Sequence, residues 1–414
     1  MAPDGADPAS AGERGEDMTD IAGRVRELMA EHEHEFIATL KHLHQHPELS
    51  FHEYDTTAFI KAHLESLGIE ILDIGLETGV VGLLKGAKDG PCIALRADID
   101  ALSIQEESSC DYRSTIDGRM HACGHDTHTT SLLGAAMILA ALRSEIKGSV
   151  KFLFQPAEEV NKGAKLMMKL NCLENPKVDA VFGMHNSSEY PAGSVCVKRG
   201  PLMASVDRIE FYIKGKGGHG GIPQRSVDPV VCAAAIIQSA QTIVSRNVSP
   251  IDAAVVSICS VKAGEVNNVI PDEVVMLGTV RAYKRETQEL VERRLGEITN
   301  GIAAAYGCEV VFKYIYELAV TDNNNPMMCD AAYKAVSAVA TPVDPIPSTG
   351  GEDFSEYAKT NVPTFFYWLG VRNENEDCIY PWHSPRFKAD LRSLKYGAGT
   401  YAMSVFTAID QLRK

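Results

Sequence analysis

Short apolar runs with the composition of β-strands alternate with helical segments along the first half of the chain. The strand-like runs cover residues 80–84, 92–97, 150–154 and 180–184. Helical spacing of apolar residues marks residues 21–67, 130–142 and 164–170. Strands that alternate with helices are typical of a layered fold with helices packed on a sheet. The order of elements therefore predicts an α/β fold class with a mixed, largely parallel sheet.

A different pattern occupies residues 203–317. Its elements follow the order β-α-β-β-α-β, with strand-like runs at 208–214, 253–261, 274–281 and 309–316 and helical runs at 228–244 and 286–306. This order is the ferredoxin-like arrangement. We therefore expect an inserted α+β domain that serves as a lid or for dimerisation, within a catalytic domain formed by residues 21–202 and 318–414. The polar, acidic residues 1–20 are expected to form a disordered tail.

Composition and charge exclude several classes of partner. The net charge of −15 disfavours nucleic acids and anionic membranes, because both would repel the chain. No apolar run approaches the ~20 residues that a membrane span needs, and the polar first residues lack the apolar segment of a signal peptide. The ten cysteines are scattered in mostly apolar surroundings, which favours buried free thiols over disulfides. These features predict a cytoplasmic protein that binds neither nucleic acid nor membrane.

The segment RMHACGHDTHTTSLLGAA, residues 119–136, concentrates groups that can ligate metal ions. Cys123 and His125 lie one residue apart, so that both could reach one ion from a loop. A cysteine near a histidine also resembles a thiol nucleophile with its general base. A third interpretation is a helix start, with Asp126 or Thr127 as the N-cap. The segment alone does not decide between these interpretations.

Three further stretches carry ligand-type residues, two of them after apolar strands and one in a distinctive loop. The strand 150–154 is followed by Gln155 and Pro156 and then by the adjacent Glu158 and Glu159, and His185 directly follows the strand 180–184. Adjacent glutamates are usually solvated, but ligand sites of α/β folds lie at the carboxyl ends of strands. His383 stands among aromatic residues and prolines in YPWHSPRF and would by itself be read equally well as structural.

The ligand-type groups taken together suit two metal ions that share one ligand. They are Cys123, His125, Glu159, His185 and His383. A thiolate such as that of Cys123 could bridge the ions, and Glu158 could take a proton from the attacking water. The thiolate favours zinc, whereas the carboxylate and imidazole ligands also suit manganese or cobalt. In this interpretation His121 and His128 are left with supporting or structural roles.

The inserted segment carries two polar loops of possible function. His219 lies among glycines in KGKGGHGGIPQRSVDP, where it could hold a developing oxyanion, although an ordinary β-to-α loop would look the same. Asn267 and Asn268 precede a proline in KAGEVNNVIP, which turn formation alone could explain.

From residue 42 onward the chain resembles the amidohydrolase branch of peptidase family M20, which contains hippurate hydrolases, auxin–amino acid conjugate hydrolases and bacterial N-acyl-amino-acid amidohydrolases. The resemblance rests on ordered motifs that include LHQHPELSFHE, ALRADIDAL, GRMHACGHDTHTTSLLGAA, FQPAEEVNKGA, GMHN, GKGGHGGIPQRSVDPV, NNVIPDEV, GGEDFSEY and WHSPRF. It implies the same five metal ligands, with Cys123 in the bridging position, and Glu158 as the general base. It further implies that Asp100 orients the ligands, that the lid histidine His219 reaches the site, often from the partner subunit of a dimer, and that Asn268 helps to bind substrate.

The resemblance implies metal-dependent hydrolysis of the amide bond of N-acyl amino acids, which releases a carboxylic acid and a free amino acid. The expected cofactors are two divalent ions (zinc, manganese or cobalt), and the expected assembly is a homodimer through the inserted domain. A dipeptidase or aminopeptidase that uses the same two-metal site is the alternative. A metal-stabilised binding protein and a cysteine hydrolase are further readings, against which the intact Glu158 and the ligand set argue.

Overall fold

A computed structural model describes residues 8–413 of the chain, with side chains described from residue 18 onward. The chain forms two compact units. The first contains the residues up to Gly200, Asp322–Ile346 and Glu356–Lys414, and the second contains Pro201–Thr321 and Pro347–Ser355. No helix among the described residues has both the length and the apolar character needed to cross a membrane.

The helices within the described residues are α1 (Pro8–Glu31), α2 (Glu33–Gln45), α3 (Tyr54–Ser66), α4 (His125–Ala141), α5 (Gly163–Lys169), α6 (Pro229–Arg246), α7 (Arg285–Tyr306), α8 (Pro326–Val339) and α9 (Ser393–Leu412). The strands of the first half are β1 (Glu70–Ile71), β2 (Val80–Lys85), β3 (Lys88–Asp98), β4 (Lys147–Gln155), β5 (Ala180–Pro191), β6 (Ser194–Cys196), β7 (Gly200–Met203) and β8 (Val206–Lys214). The remaining strands are β9 (Gly218–His219), β10 (Ala254–Ala263), β11 (Val269–Ile270), β12 (Glu273–Ala282), β13 (Glu309–Leu318), β14 (Thr321–Asn323), β15 (Thr341–Val343) and β16 (Thr364–Arg372).

Helix α1 corrects part of the expected disordered tail. Residues 8–20 belong to this helix, whereas residues 1–7 of the predicted tail lie outside the described residues. The helix carries Ile21, Val25 and Met29 at a spacing of four residues, and all three are buried. This apolar stripe packs against α9, so that tertiary contacts stabilise the helix despite its polar beginning.

The first unit is built on an eight-stranded sheet in the order β1-β2-β4-β3-β5-β16-β6-β15. The central pairs β4–β3, β3–β5 and β5–β16 are parallel, and β1–β2, β2–β4 and β16–β6 are antiparallel. The prediction of an α/β fold with a mixed, mostly parallel sheet is confirmed. Because β3, β4 and β5 run in the same direction, their carboxyl ends meet at one edge of the sheet.

Helix α4 is buried along most of its length in the core of the first unit. A Cβ added to Gly134 would come within 2.8 Å of the Cβ of Ala398 in α9, and one added to Gly397 would come within 2.3 Å of Ser131 Oγ. The small residues of this run therefore allow α4 and α9 to pack closely. The buried helix provides a rigid support for the residues at its amino-terminal end.

The second unit has a four-stranded antiparallel sheet in the order β10-β12-β8-β13. Its elements follow the predicted order β-α-β-β-α-β, and α6 and α7 pack against the sheet around Phe211, Ile236 and Leu295. The role of this unit as a lid or dimerisation domain remains a prediction.

The second unit also contains a segment that the predicted boundaries, 203–317, leave out. Residues 347–355 belong to it, and Ser348 pairs with Met203 at the end of β7, the strand that enters the unit. The Ser348 N–H donates to Leu202 O at 3.0 Å, and the Ala204 N–H donates to Ser348 O at 3.1 Å. No local sequence pattern marks this long-range pairing.

Candidate metal centre

Cys123 and His125 lie at the amino-terminal end of α4 and are buried. The expected N-cap at Asp126 or Thr127 is wrong, because the helix begins at His125 and Gly124 is the N-cap, with no capping side chain. Gly124 has a φ of +81°, and a Cβ there would come within 2.3 Å of Asn186 Nδ2. A glycine is therefore required at this position to place a cysteine and a histidine on either side of the turn.

His125 is oriented by Asp100, which follows β3. His125 Nδ1 lies 3.1 Å from Asp100 Oδ1, which leaves Nε2 to face the other carboxylates. Nε2 is buried without a hydrogen-bond partner among the described residues, 3.7 Å from an oxygen of Asp98 and of Glu159. Burial alone would raise the pKa of Asp100, but the hydrogen bond and the charge of His125 keep it below its ordinary value.

The two adjacent glutamates follow β4 on a strained turn that two other carboxylates hold in place. Ala157, just before them, has a φ of +54°, and its N–H donates to Glu53 Oε1 at 2.8 Å. The Glu159 N–H donates to Asp100 Oδ2 at 3.1 Å. Glu53 is not among the predicted site residues, although it lies in the LHQHPELSFHE motif. Its contact with Ala157 joins residues that are 104 positions apart.

His185 and His383 complete the cluster in the first unit. His185 Nε2 lies 3.4 Å from Cys123 Sγ, and its Nδ1 lies 2.7 Å from the carbonyl oxygen of Asn186. His383 has a φ of +63°, and its N–H donates to Ala122 O at 2.9 Å. His383 Nε2 lies 3.5 Å from Glu159 Oε2, and its side chain is about half exposed.

The candidate ligand atoms form overlapping groups in which all members lie within 4.8 Å of one another. One group is Cys123, His125 and His185, another is Cys123, Glu159 and His383, and a third is His125, Glu158 and Glu159. Cys123 belongs to the first two groups. The structure thus brings together all five predicted ligands and the predicted base, from four separate stretches of the chain.

The cluster is electrostatically costly by itself and suits divalent cations. Burial raises the pKa of Glu159 to about 7, and burial together with the charge of Glu159 raises the pKa of Cys123 well above its ordinary value. Glu159 Oε1, like His125 Nε2, is buried without a hydrogen-bond partner in the described structure. Unsatisfied buried acceptors of this kind are rare, and metal coordination is one of the ways in which they are satisfied.

Two other groups of ligand-type residues are already engaged with one another. His128 lies near Asp98 and His125, but its Nδ1 bonds to Asp98 Oδ1 at 2.5 Å and its Nε2 accepts from the Asn186 N–H at 2.8 Å. His44 lies between Asp126 and Glu106, at 2.6 and 3.2 Å. Neither imidazole therefore has a ring nitrogen to spare for a metal ion.

The predicted lid residues His219 and Asn268 lie beside each other in the second unit. His219 is exposed on β9, which pairs with β11, and the Gly220 N–H donates to Asn268 O at 2.8 Å. His219 Nδ1 accepts the Gly221 N–H at 2.9 Å. A neutral His219 therefore carries its proton on Nε2, where it can be donated.

Comparison with known proteins identifies the family. The model of peptidase family M20/M25/M40 matches residues 94–406. The chain belongs to this family. It is 45% identical to the N-acetylcysteine deacetylase of Bacillus subtilis, over 90% of this chain and 96% of that protein, and 37% identical to thermostable carboxypeptidase 1 of Saccharolobus solfataricus, over 93% and 98%.

A solved structure agrees with this family relationship. The chain resembles the YXEP protein of Bacillus subtilis, described as a dinuclear metal binding peptidase from the M20 family, with a TM-score of 0.82 and 41% identity over 92% of this chain and 99% of that one. The predicted membership of family M20, in its amidohydrolase branch, is confirmed. The chain is an enzyme, a hydrolase that acts on amide bonds.

Proposed function

We propose that the protein hydrolyses the amide bond of N-acyl amino acids with two divalent metal ions, and releases a carboxylic acid and a free amino acid. The observation that carries the proposal is that Cys123 belongs to two groups of ligand atoms. These groups include two buried atoms, His125 Nε2 and Glu159 Oε1, that have no hydrogen-bond partner among the described residues. The deacetylase relative, at 45% identity, supports an N-acyl amino acid as the substrate class.

The ligands of the proposed centre are the five clustered residues, with Cys123 shared between the ions: Cys123, His125, Glu159, His185 and His383. Zinc, manganese and cobalt all suit this donor set. Two such ions would polarise the amide carbonyl and lower the pKa of an attacking water molecule. Asp100 keeps the proton of His125 on Nδ1, so that Nε2 presents its lone pair to the centre.

Glu158 is the proposed proton carrier. One of its oxygens lies 4.0 Å from His125 Nε2, and its side chain is about one-tenth exposed, so that it lies beside the ligands and still reaches solvent. A carboxylate in this position takes a proton from the attacking water and delivers it to the leaving nitrogen. For His219 we propose a hydrogen bond from Nε2–H that stabilises the developing oxyanion, and for Asn268 a contact with substrate.

A peptidase is the second candidate function. The carboxypeptidase relative, at 37% identity, favours it, and both activities require the same chemistry at an amide carbonyl. Parallel assays with a dipeptide and with the N-acetyl form of its carboxyl-terminal amino acid separate the two. Preference for the acetylated amino acid supports the proposal, and preference for the dipeptide supports the alternative.

The main test combines metal analysis with a conservative change of the proposed base. Glu158→Gln is expected to keep the wild-type metal content and to lower kcat by at least ~1,000-fold. Glutamine can neither take the proton from the attacking water nor deliver it to the leaving nitrogen. Glu65→Gln, on the exposed surface of α3, is the matched control and is expected to have wild-type kcat. Wild-type turnover by a metal-replete Glu158→Gln protein would contradict the assignment. The homodimer through the second unit remains a proposal, to be checked by analytical ultracentrifugation.

A further inference from the structure

One buried asparagine contacts three of the chain segments that carry the proposed ligands. We infer that Asn186 is a positioning residue, which holds Cys123, His185 and His383 in the arrangement that binds metal. The inference rests on the proposed two-metal function. Asn186 is not itself a proposed ligand. It is fully buried and directly follows His185 in the chain.

The first contact fixes the turn that carries Cys123. Asn186 Nδ2 donates to the carbonyl oxygen of Cys123 at 2.6 Å. The side-chain amide fills the space beside Gly124, where a Cβ would approach Nδ2 to 2.3 Å. The amide therefore sets the path of the backbone between Cys123 and His125.

The second and third contacts fix the two remaining histidines. The backbone carbonyl oxygen of Asn186 lies 2.7 Å from His185 Nδ1. This contact places the proton of His185 on Nδ1 and leaves the lone pair of Nε2 toward Cys123. Trp382 Nε1 donates to the same carbonyl at 3.0 Å and lies 3.3 Å from Asn186 Oδ1. The Trp382 ring also packs edge-on against His185, at a centroid distance of 4.6 Å, and the next residue is His383.

A buried chain of polar groups holds Asn186 itself. Its N–H donates to His128 Nε2 at 2.8 Å, and Nδ2 lies 2.8 Å from the same nitrogen. Since a backbone N–H only donates, His128 must accept at Nε2 and carry its proton on Nδ1, from which it donates to Asp98. Arg96 NH1 then donates to the other oxygen of Asp98 at 2.9 Å.

The contacts require an amide at position 186. One Nδ2 hydrogen serves Cys123 O and the other faces His128 Nε2, whereas Oδ1 faces the indole N–H. Aspartate has nearly the same shape but offers no donor, so that its oxygen would oppose two acceptors. Alanine removes all side-chain contacts and leaves the Cys123 carbonyl without its donor.

The test measures binding of Zn²⁺ alone to the metal-free full-length chain, by competition with a chromophoric chelator. Asn186→Asp and Asn186→Ala are expected to bind zinc 10–100-fold more weakly than the wild type, the usual effect of removing a partner that orients metal ligands. Trp382→Phe, which changes a partly exposed side chain and keeps an aromatic ring, is expected to weaken binding about fivefold, because it removes one neutral hydrogen-bond donor.

Asn323→Ala is the matched control. Asn323 is also a buried amide of the first unit, and its side chain makes three hydrogen bonds, to Lys198 O and to the N–H and carbonyl of Phe366, but touches no proposed ligand. This variant is expected to lose thermal stability and to keep wild-type zinc affinity. Wild-type zinc affinity in the Asn186 variants and in Trp382→Phe overturns this inference and leaves the proposed function standing. An equal loss of zinc affinity in Asn323→Ala has the same consequence. A wild-type chain that binds no zinc, manganese or cobalt overturns the proposed function as well.

Discussion

The carboxylate of Glu53 provides a direct way to perturb the glutamate turn without touching a ligand. Its Oε1 accepts the N–H of Ala157 at 2.8 Å, and Ala157 is held at a φ of +54°. In Glu53→Ala, the unpaired buried N–H costs ~1–3 kcal/mol. The left-handed backbone conformation of Ala157 costs a further ~1–2 kcal/mol, which the hydrogen bond to Glu53 no longer offsets in this variant. We therefore expect the turn to relax and to displace Glu158.

A displacement of about 1 Å at a catalytic group lowers the rate by ~100-fold, or about 2.7 kcal/mol. We expect that loss in kcat/KM of Glu53→Ala toward an N-acetyl amino acid, with metal content measured on the same sample. Burial and the nearby Asp100 raise the pKa of Glu53 above its ordinary value, and glutamine has nearly the same shape as glutamate. Glu53→Gln keeps the acceptor and is expected to stay within about fivefold of the wild type.

Glu48→Ala is the control for general damage to the same loop. The Glu48 carboxylate accepts the N–H groups of Asp55 and Thr56, at 3.2 and 2.8 Å, at the start of α3 and away from the glutamate turn. This variant is expected to lower thermal stability with little change in kcat/KM. Wild-type kcat/KM in Glu53→Ala would refute the reasoning, and so would equal losses in Glu53→Ala and Glu53→Gln.

Two further substitutions test the packing around the site. Gly124→Ala is expected to abolish metal binding, because its Cβ would meet Asn186 Nδ2 at 2.3 Å. Gly118→Ala, at a similar φ of +72° with open space around it, is the control and is expected to keep its metal. The metal content of both variants is measured by atomic emission. Lys151→Met is expected to lower the free energy of unfolding by about 3 kcal/mol, because the buried ammonium donates to three backbone carbonyls. Urea unfolding of the metal-free protein measures this loss, Lys169→Met on the exposed surface is the control, and equal midpoints in the two variants would contradict the expectation.

The candidate ligands were predictable because the signals for them are local. Glu158 and Glu159 lie a few residues after one short apolar run and His185 lies at the end of another; such runs are typical of buried strands, and the ends of parallel strands meet at one sheet edge. Cys123 and His125 stand one residue apart before a run of small apolar residues, which became the buried helix α4. Residue type and spacing carried these predictions, and the motif resemblance removed the ambiguity that each had by itself.

Contacts between distant residues decided the remaining features, and no local pattern records them. Helix α4 began at His125, with Gly124 as its N-cap instead of a polar residue, and the amide of Asn186 occupies the space beside that glycine. Residues 347–355 joined the second unit through hydrogen bonds to an entering strand. The sequence by itself determined which side chains could ligate metal and roughly where helices and strands lie. Only the tertiary structure determined which of these side chains retain a free lone pair, because that depends on the neighbours that folding supplies.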